Sequence, residues 1–496
     1  MKANGASPAA SSQSLSPPTG LLRTALLTAA IALTVYAPTV ARDLTWANAA
    51  TDGGDLITAS YTLGIPHPPG YPTYVLLGKL FSFVPLGTVA FRYNLFSAVC
   101  AAMAAGLLAA TIRAQWGARV SPPMAVAAAL SFAFLPLVWS QAVVAEVYSL
   151  NLLLVAAFLL LAARGRAWGS GLLLGLALTA HPTSLLLLPA ALLGAGRAWS
   201  RLLMGTVAGL LPLLLLPWLA RGDSPVVWGR PETLGGWWWL VSGRLYAANL
   251  QLPPDGTRLA LLARAVALGV AAFGPAALIL GRPPAAGQLT ALAPPATGSV
   301  RPVLLLGATG VAYVLFALVY VTPDAAVLLL PALLIAALLA APGLARLGRL
   351  AVALPLLLAV AGLLTHAGGA AEPTPRALAE AALSAAPPNA VLLTPGDRSL
   401  FTLWYFHHVE GLRPDVVVAD ANLLAFDWYR RRLAAQETGL FVPAPDDLIA
   451  FQRGNAVARP FCAVSLMATP LTLPAGERTT APPANPPTLL CTGKRQ

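Results

Sequence analysis

Apolar positions in this chain fall in long unbroken blocks separated by short basic clusters. Residues 24–41, 93–112, 120–145, 167–196, 202–220, 302–323, 325–345 and 350–371 each contain no Asp, Glu, Lys or Arg. A hydrocarbon core about 30 Å thick calls for roughly 17–25 apolar residues per helix. One such block fits a buried core helix; eight predict an α-helical polytopic membrane protein. Residues 1–20, rich in Ser, Pro and Ala, read as a disordered cytoplasmic tail. Thr24–Ala41 is either a signal peptide or a retained anchor helix. Its length exceeds the roughly 7–15 apolar residues of a signal core, which favours the anchor.

The arginines orient these blocks. Arg113 and Arg119, Arg164 and Arg166, Arg197 and Arg201, Arg282 and Arg301, and Arg346 and Arg349 flank five loops. With those loops cytoplasmic, the turns at Trp139–Ala142, His181-Pro182 and Thr322-Pro323-Asp324 face outward, and none carries Lys or Arg, as the positive-inside rule requires. Residues 168–195 then have to leave the cytoplasm and return to it. Trp168–Ala180 and Thr183–Ala195 are expected to form two short helices meeting at His181-Pro182. A helix of that length reaches only about 20 Å, so the turn should sit below the outer surface beside a cavity.

These readings combine into one expected architecture. It has about eleven transmembrane helices over residues 21–366, outer loops 42–91 and 221–257, and a cytoplasmic linker at 283–299. From 367 to 496 the composition becomes that of a small extracytoplasmic α/β domain. There Val391–Thr394 and Val416–Ala419 read as strands, and Asp397–Val409 and Leu423–Ala435 as helices, a βαβ pattern. Cys462 and Cys491 could pair in that compartment or remain free thiols.

Charge adds little beyond orientation. The net charge of +12 sits in the short loops, and no basic patch interleaves with aromatics, so the bilayer rather than nucleic acid is the expected partner. The three cysteines show no metal-ligand spacing.

Candidate chemistry lies on the outer side. Asp52-Gly53-Gly54-Asp55 is followed by His67-Pro68-Pro69-Gly70-Tyr71-Pro72. Two carboxylates three apart share a helix face. An alternative makes Asp52 or Asp55 a helix cap and the proline stretch a plain turn. Glu146, His181 and Asp324 fall at or just below the same face, where ionisable groups usually line a cavity. Arg230 and Arg244, flanking Trp237-Trp238-Trp239, are candidate phosphate ligands. Lys79 and Arg92 are alternatives, though snorkelling to head groups also accounts for them.

These stretches resemble a large bacterial family related to the transmembrane protein O-mannosyltransferases of animals. The resemblance rests on Asp52–Asp55, Leu63–Pro72, Trp139-Ser140-Gln141, Glu146-Val147-Tyr148, Gly175–His181 and Gly243-Arg244-Leu245-Tyr246. In the C-terminal region it rests on Gly396–Tyr405, Arg413–Val416 and Trp428-Tyr429. Asp55 stands where the family often has Glu, and aromatic residues expected beside Asp324 are missing.

The resemblance implies a GT-C glycosyltransferase in the cytoplasmic membrane. Such an enzyme moves a sugar, mannose first among candidates, from a polyprenyl-phosphate donor to a protein or glycan hydroxyl outside. Asp55 or Asp52 would be the base. Arg244, Arg230 or His67 would meet the lipid phosphate, and Glu146, His181 and Tyr71 would line the substrate site. No cofactor is required by this reading, but a divalent metal on Asp52 and Asp55 is an open alternative. The competing class is a transporter or flippase, because broken helices with polar tips also build transport sites.

Overall fold

The computed structural model describes residues 18–195, 197–251, 301–366, 375–445, 447–467 and 487–492, with isolated positions between 256 and 267 and residue 473. The expected linker at 283–299 and nearly all of the N-terminal tail lie outside the described residues. The helical part runs α1 (Pro18–Tyr36), α2 (Gly53–Tyr61), α3 (Pro72–Phe81), α4 (Val89–Trp116), α5 (Pro122–Ala133), α6 (Pro136–Ala142), α7 (Tyr148–Ala163) and α8 (Ala167–Ala180). It continues with α9 (Leu188–Ala195), α10 (Trp199–Gly209), α11 (Leu216–Leu219), α12 (Leu234–Val241), α13 (Arg301–Val319), α14 (Leu330–Arg346) and α15 (Leu350–His366).

Among the described residues, five segments are long and apolar enough to cross a bilayer: Thr19–Thr39, Val89–Arg119, Trp199–Leu219, Pro302–Val319 and Ala325–Arg346. The pair α5–α6, bent by 74°, makes a sixth, and four shorter apolar helices accompany them. The chain is a multi-pass membrane protein. One expected turn moves. Trp139–Ala142 lies inside α6 rather than in a loop, because Pro136 cannot continue α5 and instead opens a new tilted helix. The return is made by residues 143–147, anchored where Ala41 N–H donates to Val143 O at 3.0 Å.

Helices α8 and α10 fix the course of the chain between them. A Cβ at Gly205 would fall 2.1 Å from Trp168 O, one at Gly171 2.0 Å from Leu202 O, and one at Gly175 2.2 Å from Thr206 O. The contact numbers rise together, so α8 and α10 run parallel with their starts level. The backbone between them must therefore go out and come back. It turns at His181, whose backbone is extended (φ −159°, ψ 128°) between α8 and the 3-10 turn Pro182–Leu187. The out-and-back hairpin read from the arginines is thus present.

The C-terminal domain contains α16 (Pro375–Ala385), β1 (Val391–Thr394), α17 (Asp397–Trp404), β2 (Val417–Asp420), α18 (Asp427–Gln436), α19 (Leu448–Ala456), β3 (Phe461–Ser465) and β4 (Thr488–Cys491). The sheet order is β2-β1-β3-β4, with β1 parallel to β2 and β3, and β4 antiparallel to β3. The expected βαβ unit is β1–α17–β2. Cys462 and Cys491, register partners on β3 and β4, form a disulfide.

This domain is docked on the long loops, and all share one apolar core. Gly54 lies so close to α17 that a Cβ would meet Phe401 O at 2.2 Å. Trp46 Nε1 donates to Thr402 Oγ1 at 3.0 Å, Arg376 pairs with Asp43 and with Glu410 at 3.0 Å, and Arg432 donates to Ala220 O at 3.1 Å.

Candidate active site

The loop 62–71 brings distant residues of the first long loop together. After α2, Leu63 takes a left-handed conformation, and Ile65 pairs with the second long loop: Ile65 N–H donates to Val226 O at 2.9 Å and Trp228 N–H to Ile65 O at 3.1 Å. Gly70 N–H then donates to His67 O at 2.9 Å, closing a tight turn over the two prolines. This turn sets the Tyr71 hydroxyl 3.2 Å from His67 Nε2.

Asp55 is at the centre of this arrangement and is fully buried. Its Oδ2 accepts from the His67 backbone N–H at 2.9 Å and from His67 Nδ1 at 2.7 Å, while Oδ1 accepts from Trp228 Nε1 at 3.0 Å. The carboxylate is saturated and locks the imidazole in place. Asp52 differs. It precedes α2 without capping it through its side chain, which is 45% exposed and lies 3.6 Å from His67 Nε2. The capping alternative therefore holds for neither residue. Burial alone would lower the His67 pKa. Asp52, the Asp55 hydrogen bond, and the charges of Asp55 and Asp397 outweigh it and raise the value to about 9. His67 is an imidazolium at neutral pH. Protein packed around Asp52 raises its pKa above the usual carboxylate range, opposed by the His67 charge and reinforced by Asp55 and Asp324.

Other candidates converge on the same recess. His181, at the turn of the hairpin, stacks against Tyr71 with ring centroids 6.3 Å apart and meets Tyr148 at a tilt, with centroids 5.4 Å apart. Tyr148 donates to Asp324 Oδ2 at 2.9 Å. Glu146, nearly buried, is within electrostatic reach of Asp52 and Asp324. The helices that begin or end here (α4, α7, α8 and α14) carry Arg113, Arg164, Arg166 and Arg346 at their opposite ends.

The basic candidates separate. Arg230 turns to Glu232 at 3.4 Å and Asp427 at 3.8 Å. Arg92 is committed to loop carbonyls, including Ser82 O at 2.8 Å. Lys79 donates to Tyr61 O at 2.5 Å. Arg244 is exposed, with no ion-pair partner among the described residues, two positions from Tyr246, whose ring faces His67 at 6.4 Å. The suggested metal pair does not fit. Both Asp55 oxygens already accept N–H donors, and among the described residues no three His, Cys, Asp or Glu side chains are grouped to hold an ion.

Trp228 and Asp397 were not among the sequence candidates. Trp228 had no motif to mark it; only the pairing of two loops brings it to Asp55. Asp397, in the first turn of α17, is electrostatically coupled to Asp52, His67 and Asp55. Its Gly396-Asp397 context was the available signal.

Comparison with known proteins bears on this recess directly. Residues 52–195 match the protein O-mannosyl-transferase TMEM260 N-terminal domain, a stretch that opens at Asp52 and includes Asp55, His67, Tyr71, Glu146 and His181. Over these residues the chain is similar to the TMEM260 family. Residues 375–439 match TMEM260-associated domain 2, which takes in Asp397. The mouse protein O-mannosyl-transferase TMEM260 is 38% identical over 146 residues, 29% of this chain and 20% of that one. Its Dictyostelium discoideum counterpart is 32% identical over 117 residues, 22% of this chain and 13% of that one. The matched stretch thus spans a fifth or less of these TMEM260 relatives. Among solved structures, ArnT from Cupriavidus metallidurans matches in its apo state (TM-score 0.53, 16% identity) and bound to undecaprenyl phosphate (TM-score 0.51, 15% identity). Each match covers 88% of this chain and 92% of ArnT. The fold is the GT-C membrane fold seen in ArnT.

Proposed function

We propose that this chain is a GT-C-type glycosyltransferase. It moves a sugar, mannose by its TMEM260 kinship, from a polyprenyl-phosphate donor to an acceptor hydroxyl on protein or glycan. The reaction takes place at the outer face of the cytoplasmic membrane. The observation that carries this reading is the pairing of an accessible carboxylate, Asp52, with an imidazolium fixed by a buried one, Asp55.

In the proposed step the acceptor oxygen attacks the anomeric carbon and its proton passes to Asp52. The carbon–oxygen bond to phosphate breaks, and polyprenyl phosphate leaves with the electron pair. A base must be reachable and basic, and the raised proton affinity of Asp52 serves that need. Asp55 is a positioning residue that holds His67. In a direct displacement the attacking and leaving oxygens flank the carbon on opposite sides. His67, 3.6 Å from Asp52, belongs to the base's side. The phosphate role falls to Arg244, whose planar fork suits two phosphate oxygens.

Purified protein in liposomes, given polyprenyl-phosphate [14C]mannose and a cell-envelope extract, tests the reading. Release of polyprenyl phosphate with label in the extract is the expected result. Relocation of intact donor or sugar across the bilayer without bond cleavage would establish the transporter instead.

A further inference from the structure

The C-terminal domain presents the start of α17 to the proposed site. Phe401 stacks on His67 with ring centroids 6.5 Å apart and planes 15° apart, and its backbone lies against Gly54, between Asp52 and Asp55. Asp397 stands four positions before Phe401 and shares its helix face. Gly396 sets this entry: at φ 149° and ψ −176° it holds a conformation essentially confined to glycine and turns the chain from β1 into α17. β1 lies between its parallel neighbours β2 and β3, and the carboxyl ends of such strands are where open sheets present groups to ligands.

Asp397 is exposed, and its carboxylate accepts no hydrogen bond and forms no ion pair among the described residues. It is within electrostatic reach of Asp52 and His67, on the base's side, and of Tyr246, two positions from Arg244. Surrounding protein and then the charge of Asp52 raise its pKa above the ordinary carboxylate value, against the pull of His67. The carboxylate is therefore accessible, partly desolvated and without a donor.

We propose that Asp397 binds the transferring hexose, accepting hydrogen bonds from its ring hydroxyls. The inference rests on the glycosyltransferase reading, in which the hexose lies between the base at Asp52 and the phosphate at Arg244. Asp397 is within reach of both ends of that arrangement. Its two oxygens can accept from neighbouring hydroxyls, and a neutral hexose brings donors without adding charge to an acidic recess. A phosphate would meet the repulsion of Asp52 and Asp397 together. The C-terminal domain is then part of the substrate site rather than only a cover over it.

The test measures lipid binding by the full chain in nanodiscs, without acceptor. The probes are polyprenyl-phosphate mannose, polyprenyl-phosphate glucose and bare polyprenyl phosphate. The natural chain should bind a hexose-bearing lipid more tightly than the bare one. Asp397→Ala should weaken binding of that lipid about 10–100-fold, as loss of hydrogen bonds to a charged group does. It should not weaken binding of the bare lipid, and the thermal midpoint should stay nearly unchanged. Asp397→Asn keeps the shape and one acceptor oxygen, so it should lose less. A natural chain without hexose preference, a preference that survives in Asp397→Ala, equal weakening of the bare lipid, or misfolding of both variants overturns the proposal. A preference erased by Asp397→Ala supports it even where the natural chain shows no transfer, a result that counts against the glycosyltransferase reading alone. Transfer without that preference counts against the hexose site alone.

Discussion

Asp52 and Asp55 stand three positions apart, yet their surroundings predict opposite consequences for the same substitution. Asp52→Asn alters a half-exposed carboxylate that accepts no hydrogen bond among the described residues, so the protein should fold normally. Transfer should fall by about 10²–10⁴-fold, the usual contribution of a general base. Asp55→Asn instead sets an amide against three N–H donors and leaves at least one unpaired. It should cost about 1–3 kcal/mol of stability as well as activity. Thermal midpoints and turnover of the two variants, measured side by side, would show the division; equal destabilisation contradicts it. The two carboxylates and the histidine were legible in the sequence, but which carboxylate is free was not. That distinction depends on Trp228, which arrives from a loop more than 150 positions away. The pH profile is set by the same group of residues. Activity should decline as pH falls through the Asp52 value, raised above the usual carboxylate range, and decline again as pH rises through about 9, where His67 loses its proton. Because the folded pKa of His67 is raised, its stabilising contribution is complete below its unfolded value near about 6.5 and is lost as pH climbs through about 9. A profile flat between pH 7 and about 10 contradicts a role for the imidazolium.

At the scale of elements, arginine placement was the strongest signal. It required residues 168–195 to double back, and parallel α8 and α10 meet that requirement. What the pattern could not convey is how closely those helices approach. Gly171 and Gly175 on α8 face Gly205 and Gly209 on α10, each pair spaced four apart, so the backbones touch as small-residue membrane interfaces do. Gly175→Val has no space to enter and should destabilise the protein by about 2 kcal/mol or more while displacing His181 from Tyr71. An unaltered thermal midpoint in detergent would contradict the close packing. The displaced turn at Trp139–Ala142 shows the complementary weakness. A block of continuous apolarity carries no mark of where it bends, and the break at Pro136 was one proline among several.

At the scale of the molecule, the carboxylate recess and the arginine loops lie at opposite ends of the helices, and the C-terminal domain closes over the recess end. Ala118→Cys, in an arginine-flanked loop, should react with a membrane-impermeant thiol reagent only after the cell is opened, and Gly439→Cys in intact cells. Labelling of both from one side contradicts the orientation. The alternation of strands and helices after residue 390 was readable from composition. Docking of that domain on the first loop was not, because Gly54 against Phe401 and Arg376 against Asp43 join segments with no shared pattern. The central claim is that Asp52 serves sugar transfer to molecules outside the membrane. It is met most directly by comparing hexose-modified cell-surface proteins, by intact mass, between cells carrying the natural chain and cells carrying Asp52→Asn at equal abundance. The account predicts specific proteins that lose one or more hexose masses in the variant. Identical modification in both would contradict it.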